Sequence, residues 1–347
     1  MLINKDKNPH GGDIYSRRVE IDFSFNINAE GMPGRVRDAI VASADSCDIY
    51  PDPYCTELRA AISVFEKVPR EMILCGNGAA ELIYSFAYSL PKEKPALIVS
   101  PTFSEYETAL CAAGIRVDHY ALDQSDGFRL TGDVLNVDLN DYSAIFVCSP
   151  NNPTGIAVEP MLIRALAKTG ARLFLDLCFL DLTGEPERYD IPDLTEKYPN
   201  VVVLRAFTKN FAVAGLRVGY VICSDADLLE KMSEKAPCWN VSTIAQRAGV
   251  AAAGCGDWLK ESVKSIISER ERMKKELRAL GVTVYDGEAN YLLLYSEKDL
   301  YKLLLARGIL VRDCSNYAGL EKGHVRIAIR KKADNDRLLK AINEVIK

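Results

Sequence analysis

The chain has few of the residues and segments that mark several common classes of protein. Its three histidines, His10, His119 and His324, lie far apart, so no zinc site is indicated. No apolar run approaches the roughly 18 residues needed to cross a bilayer, and "MLINKDKNPHGG" lacks the apolar centre of a signal peptide. Lys and Arg number 43 against 48 Asp and Glu and form no basic block, which argues against binding to nucleic acid or to a membrane surface.

The ten cysteines do not form a disulfide framework or a metal-binding motif. They are scattered singly, none belongs to a Cys-x-x-Cys pair, and several lie inside apolar runs such as "AIFVCSP" and "GYVICS". Small thiols buried in a protein of a reducing compartment are the simplest interpretation, and we expect a cytoplasmic protein.

The sequence does contain a long alternation of apolar strands and helix-like segments, from about residue 55 to residue 225. "EMILCG" precedes "GAAELIYSFAYSL", "ALIVSP" precedes "FSEYETALCAAG", and "AIFVCSP", "RLFLDL" and "VVVLRAF" follow. Strands that are apolar throughout and separated by helices are typical of a parallel sheet that is covered on both faces. The sequence therefore predicts a large α/β domain.

The pattern changes after about residue 240. Residues 240–280 read as mostly helix, with an interruption at "GCGDW" and an end at Gly281. The strand-like runs "VTVYDG", "NYLLLYS", "ILVRDC" and "HVRIAI" follow, with helices near residues 298–307 and 332–346, which is typical of a smaller α+β unit. We therefore predict an N-terminal arm that belongs partly to the small domain (1–40), a large domain (41–250) and a small C-terminal domain (251–347).

Several polar residues follow directly on the predicted strands, at the carboxyl ends where open α/β sheets bind ligands. Asn152 follows "AIFVCSP", Asp176 ends "RLFLD", Lys209 follows "VVVLRAFT", and the glycine-rich turn "GNGAAE" at 76–81 follows "EMILC". Each alone has a simple structural explanation: a turn former, a helix cap, a solvated lysine, a strand-to-helix turn. Their occurrence together at successive strand ends predicts a ligand site.

These residue types suit pyridoxal phosphate. A lysine amine forms a Schiff base with an aldehyde once it is deprotonated, and desolvation or a neighbouring cation lowers its pKa. A carboxylate beside the pyridine nitrogen keeps that nitrogen protonated, so that the ring can accept electrons. The phosphate group prefers N–H groups at a helix N-terminus and a guanidinium, which "GNGAAE" and Arg217 in "GLRVGY" offer.

The same segments resemble the class I/II aminotransferase family of fold-type-I pyridoxal phosphate enzymes. The resemblance spans nearly the whole chain, through "GNGAAE", "PTFSEYE", "SPNNPTG", "LFLD", "TKNFAVAGLRVGY" and "VRIAIR". It implies an α/β fold with a mostly parallel seven-stranded sheet in a large cofactor-binding domain and a smaller α+β domain.

The resemblance also implies a role for individual residues. Lys209 would carry the cofactor as a Schiff base, and Asp176 would pair with the pyridine nitrogen. Asn152 would bind the cofactor's phenolic oxygen next to the substrate, and Phe103 would stack on the ring. Arg326 would hold the substrate's α-carboxylate through a bidentate pair. The residues implied to hold the cofactor phosphate are Ala79, Ala80, Thr208 and Arg217.

Within the family, the chain resembles the threonine-phosphate decarboxylases most and the histidinol-phosphate aminotransferases next. "HGGD", "DFSFNINAEGMP" and "GILVRDCSNYAGL" resemble the first group, and "YPDPYCTELRAAI" at 50–62 resembles both. In both groups the tyrosine at the position of Tyr50 reaches the cofactor phosphate of the neighbouring subunit, which implies a homodimer. Both act on small phosphorylated molecules, so a second anion site is expected, with Arg312 and His10 as its candidates.

The chain departs from the family at 176–179, where "DLCF" replaces the usual "D-E-A-[YF]". Phe179 lacks the hydroxyl that the aminotransferases point at the phenolic oxygen, which favours the decarboxylases. Because the resemblance as a whole is greatest to the decarboxylases, we expect decarboxylation of O-phospho-L-threonine. Transamination of histidinol phosphate or a related amino acid is the alternative, because the two reactions differ in which Cα bond stands perpendicular to the cofactor ring. A non-catalytic pyridoxal phosphate-binding protein is a third possibility, against which the intact Lys209, Asp176, Asn152 and Arg326 argue.

Overall fold

The computed structural model describes residues 10–16, 18–189, 191 and 193–346. The described strands are β1 (Ile21–Asp22), β2 (Ile73–Gly76), β3 (Ala96–Ser100), β4 (Val117–Ala121), β5 (Ile145–Cys148), β6 (Leu173–Asp176), β7 (Val201–Ala206), β8 (Gly219–Ile222), β9 (Thr283–Val284), β10 (Tyr291–Tyr295), β11 (Ile309–Leu310), β12 (Arg312–Asp313) and β13 (His324–Ala328). The described α-helices are α1 (Gly34–Ala42), α2 (Thr56–Glu66), α3 (Gly78–Ser89), α4 (Glu105–Ala112), α5 (Pro160–Lys168), α6 (Pro186–Tyr189), α7 (Leu194–Lys197), α8 (Phe207–Asn210), α9 (Ala226–Glu234), α10 (Thr243–Ala253), α11 (Gly256–Ala279), α12 (Leu300–Leu305) and α13 (Lys332–Ile346).

Seven strands form the central sheet, in the order β2-β8-β7-β6-β5-β3-β4. All of them run parallel except β8, which is antiparallel to both of its neighbours, β2 and β7. This arrangement confirms the predicted mostly parallel seven-stranded sheet. The parallel strands end at one shared edge, and β8 begins at that edge because it runs in the opposite direction.

Helices cover both faces of this sheet, which is why its central strands are mostly apolar; the buried Arg205 of β7 pairs with Glu66 and Asp181. On one face α3, α4 and α9 pack on the sheet through side chains such as Phe86, Tyr106 and Leu229. On the other face α2, α5, α10 and α11 pack on it through side chains such as Leu58 and Ile163. Each fully buried aliphatic or phenylalanine side chain contributes about 1.5–3 kcal/mol relative to an exposed one, so this double layer supplies most of the stabilising burial.

The second, smaller sheet is antiparallel, in the order β12-β13-β10-β9, and it is accompanied by α12 and α13. The strands and helices that the sequence predicts beyond Gly281 are therefore confirmed. The N-terminal strand β1 pairs in parallel with β11, with Ile21 opposite Ile309, so the N-terminal arm joins this part of the chain. The domain boundaries at residues 40 and 250 remain predictions.

The longest described helix, α11, has 24 residues and is amphipathic. Its buried Leu259, Val263 and Ile266 recur every three or four residues, which places them on one face of the helix. In the part of the chain that the structure describes, no helix is both long enough and apolar enough to cross a membrane.

Candidate active site

The polar residues predicted from the strand ends meet at the shared edge of the central sheet. Asp176 ends β6, Asn152 follows β5, and Lys209 lies just after β7. Because β8 begins at this edge, Arg217 is also returned to it, two residues before Gly219. Because β8 runs antiparallel to the other strands of the central sheet, Lys209 and Arg217, which are close in sequence, both lie at this edge.

Asp176 is held in a fixed position at the end of β6. Its buried carboxylate accepts a hydrogen bond from the Tyr106 hydroxyl at 2.6 Å through Oδ2 and one from the backbone N–H of Cys178 at 2.9 Å through Oδ1. Burial raises the pKa of Asp176, while these two donors and the nearby Lys209 oppose that rise. A carboxylate restrained in this way is suited to binding a protonated pyridine nitrogen.

Lys209 lies in the single turn α8, next to the buried Thr208. Burial lowers the pKa of Lys209 to about 8; the cations Arg326 and Arg217 contribute to this change, and Asp176 opposes it. The backbone carbonyl of Lys209 accepts a hydrogen bond from the backbone N–H of Asn28 at 3.0 Å, and this contact holds α8 in position. A lowered pKa increases the share of neutral amine, the form that attacks an aldehyde.

This pKa leads to a prediction for the protein without cofactor. We expect Lys209 to form an imine with added pyridoxal, which borohydride then reduces to a stable label. Because only the neutral amine attacks, the labelled fraction should reach half of its maximum near pH 8 instead of near the ordinary lysine value of about 10.4. Peptide mass spectrometry measures the labelled fraction at each pH. The exposed Lys231 on α9 serves as a second labelled peptide in the same sample. A Lys209 midpoint near 10.4 would contradict the prediction.

The N-terminus of α3 and the Arg217 guanidinium form one cradle. Gly78 has a φ of +82°, and a Cβ added there would lie 2.5 Å from Nη2 of Arg217. Gly219 also packs closely on this helix start, because a Cβ there would lie 2.9 Å from the backbone nitrogen of Ala79. The first N–H groups of this helix, those of Ala79 and Ala80 among them, have no acceptor within the helix. Their combination with a guanidinium suits a phosphate.

Arg326 is a buried guanidinium with an unused donor. Nη1 donates a hydrogen bond to Oδ1 of Asn152, and Nη2 donates one to the backbone carbonyl of Ser24 at 2.6 Å. Among the described residues, Nε has no hydrogen-bond partner. A buried cation and an unsatisfied N–H are both costly, and a bound carboxylate would satisfy both.

Arg312 lies directly opposite Arg326 in the register of β12 and β13. Residues opposite one another in an antiparallel pair have Cβ atoms about 4.5–5.5 Å apart, and like charges there repel. Arg312 is also buried; its Nη2 donates to Oδ1 of Asn316 at 2.8 Å, and its guanidinium lies 5.1 Å from the centre of the Tyr317 ring. Two adjacent buried cations suit a ligand with two anionic groups.

The structure also brings His10 to the predicted site. Its ring centre lies 5.7 Å from that of Phe103, and its Nε2 lies 2.7 Å from Oε1 of Glu105. Phe103 in turn packs edge-on against Tyr106, with ring centres 5.7 Å apart. Phe103, the residue expected to stack on the cofactor ring, therefore contacts both His10 and Tyr106, whose hydroxyl binds Asp176.

Tyr50 is largely exposed in the single chain. Its side chain is 77% exposed and stacks on Trp239, with ring centres 4.6 Å apart and an angle of 29° between the rings. The exposed Ile49 and Tyr54 lie near it in sequence. The expectation that Tyr50 serves a neighbouring subunit remains a prediction.

Position 179 supplies no hydroxyl to the site. Phe179 is buried and packs edge-on against Tyr291, with ring centres 5.0 Å apart. The Tyr291 hydroxyl is engaged elsewhere, because it donates to the backbone carbonyl of Asn151 at 2.9 Å. Tyr291 therefore does not supply the hydroxyl that Phe179 lacks.

Sequence reasoning missed three residues that support the site: Tyr106, Ser24 and Glu105. A signal for Tyr106 was present, since in "PTFSEYE" it lies only three residues after Phe103, and the two rings are in contact at the start of α4. Ser24 gave no signal, because its contact with Arg326 joins residues 302 positions apart in the chain.

Comparison with known proteins agrees with this geometry. The family model for aminotransferase class I and II matches residues 18–342. The chain is 37% identical to threonine-phosphate decarboxylase from Salmonella typhimurium, over 97% of this chain and 96% of that protein. It is 31% identical to histidinol-phosphate aminotransferase from Methanococcus maripaludis, over 94% and 90% of the two chains. The crystal structure of the histidinol-phosphate aminotransferase from Clostridium acetobutylicum superposes with a TM-score of 0.88 at 28% identity, over 94% of this chain and 99% of that one.

The residues at the sheet edge fit the cofactor on which this family depends, pyridoxal phosphate. A lysine of lowered pKa, a restrained buried carboxylate and a guanidinium over a helix N-terminus are the groups that its aldehyde, ring nitrogen and phosphate require. The unused Nε of Arg326 leaves a donor for the carboxylate of an amino acid. The chain is an enzyme and belongs to the class I and II aminotransferase family of pyridoxal phosphate-dependent proteins.

Proposed function

We propose that the enzyme decarboxylates O-phospho-L-threonine, releasing CO₂ and an aminopropanol phosphate. Its likeness to the Salmonella threonine-phosphate decarboxylase, 37% identity over nearly the full length of both chains, supports this activity. The phenylalanine at position 179 also supports it, since the aminotransferases are expected to have a hydroxyl there.

The observation that carries the proposal is the pair of buried arginines, Arg312 and Arg326, placed directly opposite each other. Two such cations favour a ligand in which two anionic groups lie a few ångströms apart. O-phospho-L-threonine carries a carboxylate and a phosphate ester on neighbouring carbons. Histidinol phosphate carries the phosphate ester but no carboxylate, so in transamination both arginines would be paired only when the second substrate, 2-oxoglutarate with its two carboxylates, is bound.

Different residues of the chain would bind the different groups of the cofactor and the substrate. Lys209 would hold the cofactor through its amine, Asp176 would keep the ring nitrogen protonated, and Arg217 with the start of α3 would bind the cofactor phosphate. When bound, pyridoxal phosphate accepts the electron pair of the Cα bond that stands perpendicular to its ring. Arg326 would bind the substrate carboxylate and Arg312 the substrate phosphate, so that rotation about the bond between nitrogen and Cα is restrained at both ends.

The decarboxylation itself breaks the bond between Cα and the carboxylate carbon. CO₂ leaves without the electron pair, and a proton is then added at Cα. Lys209 is our candidate for the donor, since a pKa of about 8 lets its Nζ both hold and release a proton near neutral pH. Because Arg326 is buried, a carboxylate bound to it would be largely shielded from water during this step.

Transamination of histidinol phosphate is the second candidate. The similarity to the Methanococcus and Clostridium aminotransferases supports it, and Lys209 could equally remove the proton from Cα. The two candidates share every predicted cofactor-binding residue and differ in which substrate bond is broken.

A pair of assays on the same holoenzyme separates these candidates. With O-phospho-L-threonine alone, we expect one CO₂ for each molecule consumed, an aminopropanol phosphate as product and no requirement for a 2-oxo acid. With histidinol phosphate and 2-oxoglutarate, we expect no glutamate. Glutamate formation would overturn the proposal in favour of transamination. A visible absorbance band that is lost in Lys209→Ala, with no turnover of either substrate by the unmodified enzyme, would favour a non-catalytic binding protein.

Replacement of Arg312 tests the second anion site. Arg312→Gln should raise KM for O-phospho-L-threonine about 30- to 100-fold, because a charge-assisted contact to the phosphate is lost, and should change KM for unphosphorylated threonine by less than about threefold. Steady-state kinetics with both amino acids measure the two effects. The exposed Arg307, changed to Gln, is the matched control. An equal loss for both substrates would show that Arg312 has a structural role instead.

A further inference from the structure

We infer that Glu105 is a positioning residue for Arg326 and acts through His10 and Ser24. The connection runs along residues 10–12, which we call the strap. Glu105 binds the strap at its first residue, and the next two residues pack on Ser24, whose carbonyl oxygen holds the guanidinium of Arg326. The inference rests on the proposed role of Arg326 in binding the substrate carboxylate.

The first link is the contact between His10 and Glu105. Nε2 of His10 lies 2.7 Å from Oε1 of Glu105, and the two side chains are only 32% and 16% exposed. The imidazole also packs on Phe103, with ring centres 5.7 Å apart. Glu105 is the first residue of α4, a helix that packs on the central sheet, so this contact ties the strap to a rigid part of the fold.

The second link is the packing of the strap on Ser24. The backbone N–H of Gly12 donates a hydrogen bond to Oγ of Ser24 at 2.6 Å. Gly11 lies so close that a Cβ added there would be 2.6 Å from the carbonyl oxygen of Ser24 and 2.9 Å from its Cβ. The strap therefore contacts both the side chain and the carbonyl of this one residue.

The third link is the hydrogen bond from Arg326 to Ser24. Nη2 of Arg326 donates at 2.6 Å to the same carbonyl oxygen that borders Gly11, and the other anchor of the guanidinium is Asn152. A displacement of Ser24 would thus rotate the guanidinium about its contact with Asn152 and move the unused Nε. Shifts of this size in a residue that orients the substrate are enough to weaken binding substantially.

The same helix offers a matched comparison. Glu107, two residues further along α4, also faces a histidine, but its oxygen lies 3.8 Å from His119 and its side chain is 50% exposed. This second pair is not part of the strap. Glu107→Ala therefore removes a glutamate–histidine contact from α4 without disturbing Ser24.

The test uses two ligands of the holoenzyme that cannot be decarboxylated at Cα, measured by titration calorimetry. One, 3-phosphooxybutanoate, has the phosphate and the carboxylate but no amine; the other, aminopropanol phosphate, has the phosphate and the amine but no carboxylate. Glu105→Ala should weaken the binding of 3-phosphooxybutanoate about 10-fold and change the binding of aminopropanol phosphate by less than twofold. Glu105→Gln, which keeps an acceptor for His10, should restore most of the affinity, and Glu107→Ala should change neither ligand.

Two further variants separate a failure of the inference about Glu105 from a failure of the proposed function. Gly11→Ala, which forces the strap away from Ser24, should reproduce the selective loss seen in Glu105→Ala. Arg326→Gln should lose the carboxylate ligand most strongly, and if it does not, the proposed function is wrong. If Arg326→Gln discriminates between the ligands while Glu105→Ala and Gly11→Ala bind both as the unmodified enzyme does, or weaken both equally, only the inference about Glu105 is overturned.

Discussion

Lys209→Ala should lower kcat by at least about 10³-fold and remove the visible absorbance band of the covalently bound cofactor. The expectation follows from the two tasks proposed for this amine, holding the cofactor and moving a proton at Cα, since removal of a positioned acid–base group alone costs about 10²–10⁴-fold. Its pKa of about 8 suits both tasks. Spectra and single-turnover rates of the purified variant measure the two losses.

The same variant should not lose stability. Because the pKa of Lys209 is lower in the folded chain than in the unfolded chain, folding disfavours its protonated form; this cost is fully present below pH 8 and disappears as the pH rises toward about 10.4. Removing the amine therefore relieves a buried charge at pH 7, and the apoprotein of Lys209→Ala should melt no lower than the unmodified apoprotein. The exposed Lys231→Ala is the control for both measurements. A loss of kcat below tenfold, with the absorbance band retained, would contradict the role of Lys209.

Asp176→Asn should lower kcat about 10²- to 10³-fold while the fold is kept. A neutral amide cannot keep the ring nitrogen of the cofactor protonated, so the ring becomes a weaker electron acceptor in the step that breaks the Cα bond. Asn is close to Asp in shape and can still accept the hydrogen bond from the Cys178 N–H, so the end of β6 should remain in place. Stopped-flow kinetics and thermal melting measure the two properties.

Tyr106→Phe provides the comparison for that variant. It removes only the hydroxyl that donates to Oδ2 of Asp176 and leaves the carboxylate, so we expect a loss of no more than about tenfold. Near-normal turnover of Asp176→Asn would rule out the role of Asp176 at the ring nitrogen. A Tyr106→Phe enzyme as impaired as Asp176→Asn would show that the position of the carboxylate, more than its charge, controls the rate.

The sequence predicted the parts of the site that depend on local pattern. Lys209, Asp176 and Asn152 each follow a continuous apolar run, and parallel strands place such residues at one edge regardless of the details of packing. The same reasoning found the two layers of helices, because a strand that is apolar on both faces needs cover on both. The resemblance to a known family added what each residue does, which no pattern of apolar and polar residues contains.

The sequence could not predict contacts that depend on register and on distant segments. That Arg312 lies opposite Arg326 follows from the pairing of β12 with β13, and a slip of one residue would have turned one of them to the other face. The anchoring of Arg326 by Ser24 joins the two ends of the chain. The exposed stacking of Tyr50 on Trp239 likewise follows from tertiary packing, and the partner that Tyr50 is expected to serve lies outside a single chain.

The most direct test of the proposed reaction follows the hydrogen on Cα. O-phospho-L-threonine with deuterium at Cα is incubated with the holoenzyme in ordinary water, and the product is examined by NMR and mass spectrometry. Decarboxylation predicts one CO₂ per molecule and an aminopropanol phosphate that keeps the deuterium and gains one proton from water, because the bond to the carboxylate is broken and the bond to deuterium is not. Loss of the deuterium to water together with formation of a 2-oxo acid would contradict the proposed function.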